Sequence, residues 1–82
     1  MSDLRGFSYT TVKAIQAADA RLVGVQLGRI CVDRSIPAAT IAEMLGVSRQ
    51  TVYSWFTGRF SPTTEKAERI QALILDFTKV RV

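Results

Sequence analysis

The 82 residues carry 11 Lys and Arg against 7 Asp and Glu, a net charge of +4, and 48% of them are hydrophobic. That fraction fills one small core and excludes wholesale disorder, and no apolar run approaches the roughly 20 residues that cross a bilayer. A single cysteine, Cys31, and no histidine exclude an internal disulfide, a cysteine zinc cluster and the commonest general base, while the positive balance suits an anionic partner.

The opening MSDLRGF reads as a loose end, with Gly6 discouraging helix and no signal-peptide pattern. Ser8 predicts a cap for a first helix over about 9–18, with Val12, Ile15 and Ala18 at helical spacing. Asp19 reads as the cap of a second helix, 20–34, whose apolar face is Val23, Leu27, Ile30 and Cys31. Gly24 and Gly28 lie one turn apart on it, each costing about 1 kcal/mol relative to alanine. They mark either a helix crossing close by, such as the N-terminal one, or simply tolerated glycines. Pro37 at a first helical position opens a third helix to about Leu45, with Ala38, Ile41, Ala42 and Leu45 on one face.

Gly46 follows where the chain needs a positive φ, Val47 can be buried beneath the turn, and Ser48 caps a fourth helix to about Thr57. Val52, Trp55 and Phe56 face inward by phase; Arg49, Gln50, Tyr53, Ser54 and Thr57 form the opposite face. The loop GRFSP leads to Thr63 or Thr64, either able to cap a last helix to about Thr78 with Ala67, Ile70, Leu73, Ile74 and Phe77 as its stripe. Glu65 and Glu68 suit the positive end of its dipole. Between Glu43 and Glu65 the chain has no acidic residue but holds Arg49 and Arg59.

Ala42, Gly46, Val52 and Trp55 form a motif core, accompanied by Ile41, Leu45, Val47, Ser48, Gly58 and Pro62. In these residues the chain resembles the lambda repressor-like (Cro/C1-type) helix-turn-helix family over roughly 25–75. The resemblance implies an all-α, five-helix domain spanning 1–82, its core at about 20–78, that binds double-stranded DNA with the helix Ser48–Thr57 in the major groove. Arg49, Gln50, Tyr53 and Ser54 are then the candidates for base contact, since arginine matches guanine and glutamine matches adenine bidentately. Ser48, Thr51, Thr57, Arg59 and Lys66 are the candidates for phosphate contact, which sets register. Each has a plainer role as a solvated helix residue or, for Ser48, a cap.

Trp55 belongs to the core by phase and not to a stacking platform, Cys31 is a small buried hydrophobe, and Phe60 is expected to shield its loop. Two places depart from the family. Ala38 stands where relatives usually have a phosphate-clamping glutamine, and Cys31 and Phe56 stand where relatives often pair arginine with glutamate, predicting an apolar contact in its place. No catalytic constellation, cofactor loop or metal spacing is present in the sequence, so an enzyme is not expected.

The expected role is a sequence-specific transcriptional regulator, a repressor, in the cytoplasm of a bacterium or phage-infected bacterium. Homodimerisation on a near-palindrome would use Leu75, Val80 and Val82 at the end of the last helix and in the tail. The alternative is an interaction module that keeps the fold and binds a host protein.

Overall fold

The computed structural model describes residues 7–79. Among them are five helices and no strand: α1 (Tyr9–Ala17), α2 (Val23–Asp33), α3 (Ala38–Leu45), α4 (Arg49–Phe56) and α5 (Thr64–Thr78). The hub is α2, which packs against α1, α4 and α5, while α3 packs against α4.

Its two glycines explain why. A Cβ built on Gly24 would fall 2.8 Å from both Cβ and the carbonyl oxygen of Trp55, and one on Gly28 would fall 2.8 Å from Cγ of Phe56. The crossing helix is therefore α4 rather than the N-terminal helix, and both glycines are required by it. Leu27 and Cys31 of α2 are buried with Ile41, Val52, Phe56 and Ile70 in one apolar cluster. Burial pushes the Cys31 thiol up to about 12, leaving it an inert hydrophobe.

Two helix starts differ from the sequence expectation. Asp19 caps a turn instead of a helix: its Oδ1 accepts from the Arg21 amide (2.9 Å) and its carbonyl from the Leu22 amide (3.1 Å). A short aspartate competes for local backbone donors in this way, so α2 begins only at Val23, with no side-chain cap. Arg21 grips the same carboxylate with Nε and a terminal nitrogen, and holds it down to about 2. Pro37 stands just outside α3, at φ −66°, ψ 147°, and Ala38 is the first helical residue.

Phe7 is not loose. It is 4% exposed, its ring edge-on to Tyr53 at 6.1 Å and tilted against Phe56 at 6.2 Å. Phe7 precedes the cap Ser8, and Val12 is the fourth residue of α1; an apolar pair at these positions staples a helix start, and both are buried in the cluster.

Basic side chains close helix ends. Arg29 donates to the Gln16 carbonyl at 2.7 Å, at the end of α1. Lys66 and Arg69 of α5 donate to the carbonyls of Leu45 (3.1 Å) and Met44 (3.0 Å), at the end of α3. Cations there offset the negative helix terminus.

Candidate nucleic-acid interface

The turn between α3 and α4 is set by local chemistry. Gly46 adopts φ 69°, ψ 35°, and the Val47 amide returns to the Ala42 carbonyl at 3.0 Å. Ser48 Oγ then accepts from the Thr51 amide at 3.1 Å and starts α4. With Val52, Trp55 and Phe56 buried against α2, the helix presents Arg49, Gln50, Tyr53, Ser54 and Thr57 outward. In the preceding connection, between α2 and α3, Ser35 takes φ 58°.

A groove of about 430 Å³ runs along that face, lined by Ser48, Gln50, Thr51, Tyr53, Ser54, Thr57, Arg59 and, from outside the expected set, Thr11 and Phe60. Arg49 lines an adjoining depression shared with Ser48, Gln50 and Tyr53. Among the described residues no carboxylate lines either. The Arg49 and Arg59 side chains are exposed, and neither guanidinium has a hydrogen bond or ion pair among the described residues. By contrast Arg21, Arg29, Lys66 and Arg69 are committed to partners inside the chain.

The hydroxyls are not equivalent. Ser54 donates its proton to the Gln50 carbonyl (3.0 Å) and Thr57 to the Tyr53 carbonyl (2.8 Å), so outward each offers lone pairs. Lone pairs suit the amino groups of adenine and cytosine; a phosphate, which only accepts, would require Thr57 to release its carbonyl. Ser48 and Thr51 share one hydrogen bond of 3.0 Å between two hydroxyls, which leaves one proton of the pair for an outside acceptor. The ring of Tyr53 is held between those of Phe7 and Phe56, the latter at 6.5 Å, and is half core, half surface.

Lys66 does not line this groove; its ammonium donates to the Leu45 carbonyl at the C-terminal end of α3. Ala38 is 2% exposed and carries no polar side chain, so this position offers no side-chain anchor to an outside phosphate. Leu75 is 68% exposed near the end of α5, and Val80 and Val82 lie outside the described residues. Thr11 and Phe60 were missed as lining residues. For Thr11 only the repeated Ser-x-x-Thr cap, shared by α1 and α4, links the two places in sequence. No group of His, Cys, Asp and Glu among the described residues could hold a metal ion, and no helix there is long and apolar enough to cross a membrane.

A family model described as "Helix-turn-helix" matches residues 26–74, from within α2 to near the end of α5. The chain belongs to the lambda repressor-like, Cro/C1-type helix-turn-helix family. That family is one of DNA-binding regulators, and the matched span contains the whole α3–turn–α4 unit. It leaves out Phe7 and α1, so the helix that supplies Thr11 to the groove is an addition to the family's core. Where family members often bury an ion pair, this Cro/C1-type chain has Cys31 and Phe56, both fully buried, and no buried charged side chain among the described residues. No curated protein and no solved structure matches the chain.

Proposed function

We propose that the protein is a sequence-specific transcriptional repressor that inserts α4 into the major groove of duplex DNA. The observation that carries this is the pair of exposed guanidiniums, Arg49 and Arg59, flanking a groove that no carboxylate of the described residues lines, on the outer face of α4. Arg49 and Gln50, in the first turn, make the bidentate base contacts, each contributing about 1–3 kcal/mol of discrimination. Ser54 contributes acceptors, and Tyr53, fixed by its ring contacts, adds a rigid edge. Ser48, Thr51 and Arg59 hold the phosphates.

One α4 touches few base pairs, so a two-fold dimer engages half-sites about 34 Å apart on a near-palindrome. Leu75, with Val80 and Val82 of the tail, is the proposed dimer contact. Repression then follows from occupying a site, in the cytoplasm of a bacterium or a phage-infected cell. Buried Ala38, which withholds one phosphate anchor, is the observation that keeps a host protein as a second candidate partner.

The test is selection from randomised duplexes, with sequencing of what is retained, for the wild type, Arg49→Ala and Arg59→Ala. A near-palindromic motif that Arg49→Ala relaxes at one base pair, with uniform weakening by Arg59→Ala, is the expected outcome. No enrichment, or indifference to both substitutions, overturns it in favour of the protein partner.

A further inference from the structure

Four large apolar side chains are markedly exposed among the described residues: Tyr9, Met44, Phe60 and Leu75. Of these only Phe60 lines the groove on α4, and at 64% exposure it does not shield the loop, as the sequence had suggested.

Its position is fixed. The Arg59 and Phe60 amides both donate to the Ser54 carbonyl, at 2.9 and 3.3 Å, and Gly58 at φ 76° turns the chain to make this possible. The backbone that carries this phenyl ring is therefore anchored at the C-terminal end of the reading helix, and the ring borders a groove otherwise lined by hydroxyls, an amide, a guanidinium and the half-buried ring of Tyr53. Such turns commonly close with an apolar contact between the residue after the left-handed position and the residue five before it. Here those residues are Arg59 and Ser54, so the turn itself makes no use of apolar surface.

A phenyl ring has no donor or acceptor for base edges. The major groove offers it one apolar partner, the C5-methyl group of thymine. We propose that Phe60 is a specificity determinant that packs against a thymine methyl at the outer edge of the half-site read by α4. The proposal rests on the duplex-binding function above and adds to it a residue and a base.

The experiment uses the duplex recovered by selection, with each thymine replaced in turn by uracil, which removes only that methyl. Binding is measured for the wild type and for Phe60→Ala, whose fold is checked by thermal unfolding. Burial of one methyl corresponds to about 0.8 kcal/mol, so uracil at one edge position should weaken the wild type roughly fourfold. Phe60→Ala should bind the thymine duplex more weakly by at least that factor and lose no more with uracil at that position.

Several outcomes overturn the proposal while leaving duplex recognition intact: Phe60→Ala binding as the wild type does, retained uracil sensitivity in Phe60→Ala, or an edge with no sensitive thymine. A weakening by Phe60→Ala that is equal on every duplex would assign the ring to the sugar–phosphate backbone and also overturn it. A selection that enriches nothing removes the duplex-binding function, and this proposal with it.

Discussion

α2 and α4 end in turns built on the same hydrogen bonds and finished with opposite side chains. At the end of α2 the Ile36 amide donates to Cys31 (2.8 Å) and the Ser35 amide to Val32 (3.3 Å). At the end of α4 the Arg59 amide donates to Ser54 (2.9 Å) and the Gly58 amide to Trp55 (3.1 Å). Around the first turn the key positions are Ile36 and Cys31, both packed into the core; around the second they are Arg59 and Ser54, both on the groove. The residue that must accept a positive φ is a strained serine in one and a relaxed glycine in the other. The backbone device is indifferent to its use, and side chains decide whether it fastens the fold or offers a surface.

The contrast can be broken most strongly at Ile36. Ile36→Ala should cost about 2 kcal/mol in chemical denaturation, at the low end for a buried isoleucine because this one is only half buried. Gly58→Ala comes next. An added methyl would sit 3.4 Å from Ala18, Leu22 and Val25, ordinary contact, so the expense is the left-handed backbone, about 1–2 kcal/mol. Ser35→Gly should act in the other direction and raise stability by roughly 0.5 kcal/mol, the relief of strain being partly offset by a freer unfolded chain. Arg59→Ala should change stability least, by less than about 0.5 kcal/mol, yet lower the log–log salt slope of DNA binding by about 0.9 as one phosphate contact is lost. Equal stability losses at Ile36 and Arg59 would erase the distinction between the two turns.

The elements easiest to read from sequence were those whose causes are local. Gly46 with Val47 and Ser48 specifies the turn and cap of the helix-turn-helix within a few residues, and the phase of Val52, Trp55 and Phe56 sets which way α4 faces. Asp19 was misread because a capping residue and a turn residue have the same short carboxylate, and only the bond to Arg21 tells them apart. The partner of Gly24 and Gly28 was hidden because any helix could have crossed there. Phe7 was lost in a segment whose polar neighbours suggested no structure, although its spacing to Val12 across Ser8 carried the staple.

At the site, the outward set on α4 followed from periodicity. Which hydroxyl protons were already given to carbonyls did not, since Ser54 and Thr57 spend theirs within their own helix. Lys66 shows the same limit at longer range: its bond to Leu45 spans 21 positions.

The contact of α4 on Gly24 and Gly28 has a further consequence. With the Trp55 and Phe56 side chains seated directly on the backbone of α2, the tilt of α4 is set by main-chain contact rather than by adjustable rotamers. Aim and message are thereby separated. Under the proposed function, exchanging Arg49, Gln50 or Ser54 would rewrite what is read without re-pointing the helix, so new target preferences could be screened on this scaffold one surface residue at a time.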